Sequence, residues 1–352
     1  MARGLTGETN LNTHFHYYCI RVLAETAGFT PDDAEVIAYA SQYVDDATEN
    51  KPIRVANAPP EADDQHIAGL FDPVRTAHIG LGYNNKDIER KIYIAFHFLP
   101  GAAYGGGAYD YRVVPDGAFA QALLDEALQA LKEAPAPGVD RTRALIKTGI
   151  ALHTYADTWA HQRFSGRHNA GDNDIKNRER YEHGAWNELN IFESGVLNFA
   201  PDVGHAEAGT MPDASYLRWR YTRASGGAPI DRDNTNEFTT AASTILEKLC
   251  GVTGKNGTSL PPAVHACLAQ HADSHALWSA HFPGVFNGPY DHHAWRSAAL
   301  ANGTVRWDKF DSADEFLAQS YTYNGDPKWF IFHAEAGKQR DFVLRRIRWD
   351  LQ

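Results

Sequence analysis

The longest helical pattern in the sequence carries three titratable side chains along one line. Residues 140–164 read DRTRALIKTGIALHTYADTWAHQRF, and within them His153, Asp157 and His161 recur at intervals of four. Each residue of an α-helix turns by about 100°, so these three side chains lie on one side of the helix. Apolar and aromatic residues fill most of the other positions, which predicts a helix that is buried on most faces.

Two imidazoles and a carboxylate in such a helix need partners. Burying them without a hydrogen bond, an opposite charge or a metal ion would cost too much free energy. Clustered buried titratable groups often mark functional sites, which favours metal ligation. The alternatives are a solvent-facing polar stripe or an Asp–His pair inside a helix bundle. Imidazole and carboxylate ligands suit Zn²⁺, Mn²⁺ or Fe, whereas the lack of cysteine ligands argues against a closed structural zinc site.

Histidines and aspartates elsewhere in the chain are candidates for the same site. The sequence has 17 histidines, and the candidates are His14 and His16 in THFHYY, Asp45 and Asp46 in SQYVDD, His78 in PVRTAHIG, His183 in YEHG, and His205 with Asp213 in GHAEAGTMPD. The pattern leaves open which of the two N-terminal histidines, and which of the two adjacent aspartates, takes part. His97 in FHFLPG is predicted to be a core histidine because Phe96 and Phe98 flank it.

Helical signals dominate the rest of the chain. In TPDDAEVIAYASQYV, Thr30 is a candidate N-cap and Pro31 occupies the first helical position. The segments NEFTTAASTILEKLC and DSADEFLAQSY are also expected to be helical, and alternating strand patterns are few and short. The sequence therefore predicts an all-α fold, a multi-helix bundle with long loops. A turn-rich stretch at 223–231 suggests a helical metal-site core over 1–225 and a helical C-terminal part over 226–352, packed as one continuous domain.

Charge and composition limit the partners. The formal net charge of −11 argues against a broad basic surface for nucleic acid and favours a small-molecule substrate. No 18-residue apolar run and no secretory leader are visible, so we expect no membrane span. The three cysteines, Cys19, Cys250 and Cys267, show no CxxC spacing. Reduced thiols are therefore expected, which favours the cytoplasm. The sequence does not indicate an oligomeric state.

The order of the candidate ligands resembles the zinc-dependent phospholipase C and single-strand nuclease superfamily. Members of that superfamily are all-helical and hydrolyse phosphoesters with a metal cluster. The resemblance implies His16 or His14 as the first histidine, then Asp45 or Asp46, then His78, the helical pair of His153 with Asp157, and His161. The chain also resembles an uncharacterised microbial family with FHYY, SQYVDD, FHFLPG and HTYADTWAH signatures, which implies no activity.

Two positions depart from the superfamily pattern. His183 would be the last histidine, but Asn187 stands four residues later, where the family has a glutamate. The family also binds metal through its processed terminal amine, whereas here a dozen residues precede the first histidine.

The resemblance and the residues together predict a metal-dependent hydrolase, with a phosphoester as substrate and a metal-activated hydroxide as nucleophile. Two or three Zn²⁺ ions are expected, with Mn²⁺ or Fe possible, held by His16, Asp46, His78, His153, Asp157, His161, His183 and His205. Asp157 would bridge the ions, and Asp45 or Asp46 would orient the water or act as base. The expected pocket walls are Tyr17, Tyr104, Tyr155 and Trp159. The alternative is a non-catalytic helical protein that binds a metal or small ligand.

Other catalytic classes lack their motifs. The sequence contains no Gly-x-Ser-x-Gly elbow, Walker loop, Rossmann glycine set or His-Glu-x-x-His, and no Glu-x-x-His of the di-iron type. The His-x-His at 14–16 would suit an amidohydrolase barrel only if it lay on a strand.

Overall fold

The computed structural model describes residues 13–49, 51–67, 69–78, 85–134, 137–189, 203–310 and 314–348. Helices form the centre of the protein, and two β-sheets lie among them. The chain is therefore mixed α/β, and the prediction of an all-α bundle is wrong.

Ten helices are numbered here within the described ranges. They are α1 (a π-helical segment, His14–Cys19, continued by Ile20–Thr26), α2 (Pro31–Asp46), α3 (Lys86–Ile88, continued by the π-helical segment Glu89–His97), α4 (Ala118–Glu133), α5 (Val139–Ala160), α6 (Asn234–Thr253), α7 (Pro262–Leu268), α8 (Ser274–His281), α9 (Ala294–Ala299) and α10 (Lys328–Leu344). Short helical turns also occur at Pro60–Gln65, Ala170–Asn173 and Ala206–Ala208.

The helix signals read from the sequence explain where two of these helices begin. Thr30 accepts a hydrogen bond from the backbone N–H of Asp33 at 3.2 Å, and Pro31 is the first residue of α2, as predicted. The segment NEFTTAASTILEKLC is confirmed as part of α6, which Asp233 caps by accepting from the N–H of Asn236. Both helices start where a side-chain oxygen satisfies a free backbone donor.

Helix α5 lies in the core of the protein. Nearly every residue from Ala144 to Ala160 is buried, including the polar ones, so the predicted burial on most faces is confirmed. Helices α2, α4, α6 and α10 pack against it. The side chains that form this core come from the whole length of the chain, from Phe15 to Ile347.

The first sheet joins distant parts of the chain. Its strand order is β2-β3-β1-β9-β8, with β1 at Ile53–Ala56, β2 at His66–Ile67, β3 at Leu70–Phe71, β8 at Leu300–Phe310 and β9 at Asp314–Tyr323. Strand β1 runs parallel to β9, with Ile53 opposite Gln319, and the other pairs are antiparallel.

The second sheet is antiparallel, with the order β5-β4-β6-β7. Its strands are β4 (Ile175–Glu182), β5 (Ala185–Glu188), β6 (Arg218–Arg223) and β7 (Ile230–Asp233). The turn-rich stretch at 223–231 connects β6 to β7, which pair with each other.

Two features of the sequence explain the missed strands. DSADEFLAQSY was expected to be helical, but its described part belongs to β9, whose partner β1 is more than 250 positions away in the sequence. Strands β4 and β5 are rich in charged residues and lack the apolar alternation of a half-buried strand. Their turn does carry a hairpin signal, because His183 and Gly184 have φ angles of 53° and 84°.

Two further sequence expectations concern the environment of the protein. No helix in the described ranges is long and apolar enough to cross a membrane. Cys19, Cys250 and Cys267 are free and buried, and the cytoplasmic location stays a prediction.

Helices α2 and α5 approach closely at Gly149. A Cβ atom at this position would lie 2.4 Å from the carbonyl oxygen of Ile37 and 2.6 Å from the Cβ of Ala40. One turn further along, His153 on α5 faces Asp45 of α2, with 3.6 Å between His153 Nε2 and Asp45 Oδ1. The missing side chain at Gly149 therefore allows the helix contact that brings these two groups together.

We expect Gly149→Ala to lower the free energy of unfolding by about 1–3 kcal/mol, because the added methyl group overpacks the contact with α2. This loss would exceed the gain of about 1 kcal/mol in helix propensity. Urea unfolding of the wild type and the variant measures the net change in the free energy of unfolding. The control is Gly251→Ala in α6, where no atom lies within 4 Å of the added Cβ, and it should be neutral or slightly stabilising. Equal stabilities of the two variants would refute the close contact.

Candidate metal centre

Two π-helical segments carry histidines to the side of α5. His16 lies within the π-helical part of α1, and His97 is the last residue of the π-helical part of α3. After it, the Phe98 N–H donates to the carbonyl of Tyr93, five residues earlier, at 2.7 Å. π-Helical turns are rare and occur frequently at functional sites.

The carboxylate of Asp157 is the centre of the group. Its Oδ1 lies 3.1 Å from Nε2 of His16. Its Oδ2 lies 3.2 Å from Nδ1 of His97 and 3.2 Å from Nε2 of His153, with Nδ1 of His161 at 3.7 Å. Four imidazoles from three helices thus surround one buried carboxylate.

Eight residues form three groups that could hold metal ions, and the first two groups share His153. The ligand atoms within each group lie within 4.8 Å of one another, and the groups are His16 with Asp45 and His153, His97 with His153 and Asp157, and His161 with His205 and Asp213. The donors are imidazole nitrogens and carboxylate oxygens, which suit Zn²⁺, Mn²⁺ or Fe. The side chains present therefore fit a divalent transition-metal ion.

Backbone carbonyls orient three of the five imidazoles. The Nε2–H of His97 donates a hydrogen bond to the carbonyl of Thr76 at 2.9 Å, and the Nδ1–H of His161 donates one to the carbonyl of His97 at 2.7 Å. Nδ1 of His205 bonds the carbonyl of Gly209 at 3.0 Å. In each case the opposite nitrogen faces the carboxylates. Histidines that bind metals are usually held in this way, so these three rings are oriented for ligation.

The other two imidazoles have a free nitrogen. The rings of His16 and His153 stack with their centroids 4.0 Å apart. Their Nδ1 atoms are buried and have no hydrogen-bond partner in the described part of the protein. Such atoms are rare in folded proteins, and a bound ion or water can supply the missing partner.

Asp213 joins the third group. Its Oδ1 lies 3.1 Å from Nε2 of His161, and its Oδ2 lies 3.3 Å from Nε2 of His205. The ring of Phe98 stacks on that of His161, with 4.4 Å between the ring centroids. Gly204 has a φ angle of 56°, and a Cβ there would lie 2.4 Å from the Phe98 ring. A glycine is therefore needed for the loop to bring His205 this close.

The charges in the site call for cations. Burial opposes protonation of His161, but Asp157 and Asp213 outweigh it and raise its pKa to about 9. Burial likewise opposes protonation of His16, and Asp157 raises its pKa. Burial lowers the pKa of His153 and of His205, which favours the neutral imidazole that metal binding requires. The carboxylates thus favour positive charge on His16 and His161, a role that a bound cation would take over.

The structure brings together five of the predicted metal ligands, namely His16, His153, Asp157, His161 and His205, and it adds Asp45 from the predicted catalytic acids. Asp46 points elsewhere and accepts a hydrogen bond from the Tyr290 hydroxyl at 2.7 Å. Neighbouring helical residues are about 100° apart, which explains why only one of the two aspartates faces the histidines.

Three further histidines lie away from the group. His14 contacts the Ser274 hydroxyl at 3.2 Å and the Cys267 carbonyl at 3.1 Å. His78 contacts the guanidinium of Arg75. His183 is exposed in the turn between β4 and β5. None of the three belongs to the metal-ligand groups that the described residues form.

The predicted wall residues also lie elsewhere. Tyr155 and Trp159 are two positions from the ligands of α5, which places them about 200° around the helix, and the Tyr155 hydroxyl donates to Asp116. The Tyr17 hydroxyl donates to Glu35 at 2.9 Å. Tyr104 is exposed and bonds the Arg346 carbonyl through its backbone N–H.

Sequence reasoning missed His97 as a member of the group. The neighbouring phenylalanines indicated a core position, and nothing local distinguishes a core histidine from a ligand. Asp213 was noted as a candidate beside His205 but was not included among the ligands. The glycine and the proline between His205 and Asp213 predict a loop and not a helix, so only the folded chain shows the pairing.

A family model matches almost the whole chain. It is described as "Family of unknown function (DUF6765)" and matches residues 11–347. No curated protein and no solved structure matches the chain. The family description gives no activity, so the function has to be inferred from the site.

We expect His97→Ala to weaken Zn²⁺ binding at least tenfold, because the ring contacts Asp157 and His153 and is oriented by Thr76. Competition with a chelating dye measures the affinity. His183→Asn is the control, since this exposed residue lies outside the group, and its affinity should equal that of the wild type. If both folded variants bind Zn²⁺ like the wild type, His97 does not contribute to a metal site.

Proposed function

The chain belongs to this family of unknown function, and we propose from the site that it is a metal-dependent hydrolase of phosphoesters. The observation that carries the proposal is the presence of two neighbouring ligand groups, one at Asp157 and one at Asp213. Oδ2 of Asp157 lies 3.2 Å from His97 and 3.2 Å from His153, and it lies 3.7 Å from His161 of the second group. Two adjacent cations are typical of hydrolytic two-metal sites.

The ligands divide into two sets. One cation would be held by His97, His153 and Asp157, with His16 and Asp45 beside them. The other would be held by His161, His205 and Asp213. A pair of divalent cations at these positions would supply Lewis-acid chemistry, which polarises a phosphoryl oxygen and lets water lose a proton near neutral pH.

Asp45 is the carboxylate best placed to act on a water molecule. Its Oδ1 lies 3.6 Å from His153 and 3.8 Å from His97, so it is held less tightly than Asp157 or Asp213. Its side chain is 16% exposed, whereas that of Asp157 is 4% exposed. A loosely held and partly exposed carboxylate can orient water and accept its proton.

The phosphoester class is supported by the order of the ligands in the sequence. His16, Asp45, the pair of His153 with Asp157, and His161 follow the pattern that resembles the zinc-dependent phospholipase C and nuclease superfamily. The negatively charged oxygens of a phosphoryl group also suit two adjacent cations. The mixed α/β fold does not share the all-helical architecture of that superfamily, so the likeness concerns the site.

A non-catalytic metal-binding protein is the second candidate. The side chains of His97, His153 and Asp157 are only 11%, 0% and 4% exposed. A cation enclosed at that group would have little access to substrate and would serve stability. The two candidates differ in whether metal-loaded protein turns over an ester.

We expect dialysis against a chelator to abolish hydrolysis of 4-nitrophenyl phosphate, and Zn²⁺ or Mn²⁺ to restore it.

Asp45→Asn should lower kcat about 100-fold or more while most of the bound metal is retained, because the variant loses the proposed base. Release of nitrophenolate and elemental analysis measure the two effects. Asp32→Asn, at the exposed start of α2, is the control and should keep wild-type activity. Metal-loaded wild-type protein that hydrolyses no phosphoester would favour the second candidate.

A further inference from the structure

Two polar residues at the junction of β7 and α6 are buried beside one of the two proposed cations. Arg232 is 1% exposed and Asn234 is 0% exposed. Side chains of these types are rarely buried unless hydrogen bonds satisfy them. Their hydrogen-bond partners lie next to His161 and Asp213, which are ligands of the same proposed cation.

The side chain of Asn234 holds the loop that carries Asp213. Its Nδ2 donates to the carbonyl of Met211 at 2.6 Å and to the carbonyl of Ala214 at 2.8 Å. Its Oδ1 accepts from the indole Nε1–H of Trp219 at 3.0 Å. The carbonyls only accept and the indole only donates, so these partners fix the orientation of the amide. Asp213 therefore lies in a loop segment that is fixed on both sides.

The hydrogen bonds of Asn234 attach this loop to the core of the protein. Within the loop, the N–H groups of Asp213 and Ala214 both donate to the carbonyl of Thr210 at 3.2 Å. Those two bonds shape the loop but do not connect it to a neighbouring element. Asn234 is the first residue of α6, and α6 packs against α5, the helix of the metal ligands. The position of Asp213 relative to α5 thus depends on Asn234.

The guanidinium of Arg232 holds the end of α5 next to His161. Its Nη2 donates to the carbonyls of Trp159 at 2.9 Å and of Ala160 at 3.2 Å. These two residues directly precede His161, which follows the last residue of α5. Carbonyls at a helix C-terminus have no partner within the helix, and a cationic group there also complements the helix dipole. Arg232 therefore fixes the backbone from which the His161 side chain extends.

The charge of Arg232 is balanced, so it does not oppose a bound cation strongly. Its Nε and Nη2 donate to the carboxylate of Glu237 at 2.8 Å and 2.6 Å. An ion pair is neutral overall and repels a nearby cation far less than an unpaired guanidinium would. The residue can therefore lie beside a metal site and orient its backbone.

We infer that Arg232 and Asn234 are positioning residues that set the spacing of His161 and Asp213 for their shared cation. The two ligands are 52 positions apart in the sequence, yet Nε2 of His161 lies 3.1 Å from Oδ1 of Asp213. Arg232 holds the backbone of the first ligand and Asn234 that of the second, from positions only two residues apart. The inference rests on the two cations of the proposed function and adds the residues that hold the ligands of one of them.

The test measures the affinity of both sites for Zn²⁺ by competition with a chelating dye. We expect Asn234→Ala to weaken binding of one Zn²⁺ about tenfold or more, because the loop of Asp213 is no longer held in place. The affinity for the other Zn²⁺ should stay that of the wild type. Arg232→Met should have the same selective effect. Glu237, which it leaves unpaired, is 22% exposed and can be hydrated, so this variant tests the inference even if Asn234→Ala does not fold.

A double variant identifies the site that is affected. Asp213→Asn should retain only one Zn²⁺ at wild-type affinity, because the other site loses its carboxylate. Adding Asn234→Ala to this variant should leave the remaining affinity unchanged. Leu246→Ala is the matched control, since it removes a buried side chain of the same helix away from the ligands, and it should keep both affinities.

Three results would overturn the inference: an equal weakening of both Zn²⁺ ions, no weakening in either variant, or the same selective loss in Leu246→Ala. Each of them leaves the hydrolase proposal standing, because that proposal is tested by turnover of an ester. Wild-type protein that binds only one Zn²⁺ would overturn the inference together with the second cation of the proposed reaction.

Discussion

The buried carboxylate of Asp157 is the constraint on which the arrangement of helices depends. Its two oxygens contact His16, His97 and His153, which belong to α1, α3 and α5. A buried carboxylate that loses its partners is strongly destabilising, because the charge cannot return to water. The packing of these three helices therefore determines the charge balance of the site, because a shift of any one helix would remove a partner of Asp157.

The helices reach this carboxylate by two local departures from regular packing. Gly149 lets α5 approach the backbone of α2, and one turn later Asp45 meets His153. The π-helical turn at the end of α3 places His97 where its Nε2 bonds the Thr76 carbonyl while its Nδ1 faces Asp157. Each feature changes the backbone only locally, and each permits a contact between helices that a regular helix would not make.

Parts of the site that follow from local periodicity could be predicted from the sequence. His153, Asp157 and His161 share one side of α5 because four-residue spacing is a property of every α-helix. Whether Asp45 or Asp46 faces the site, and whether His97 joins it, depends on how separate helices cross. Residue spacing in the sequence does not determine these crossings. The same limit applies to the fold, because β9 is a strand through its pairing with β1 and β8, and β1 lies at the other end of the chain.

The two sides of the site are not equally fixed. On one side, His161 and His205 are each oriented by a backbone carbonyl, and Asp213 contacts both rings. On the other side, His16 and His153 each keep a buried nitrogen without a partner, and Asp45 is loosely held. Ligands that are already oriented lose less entropy on binding, so the Asp213 side is the preorganised one. The adjustable side includes Asp45, the carboxylate that would orient water in the proposed reaction, and this role would need freedom to move.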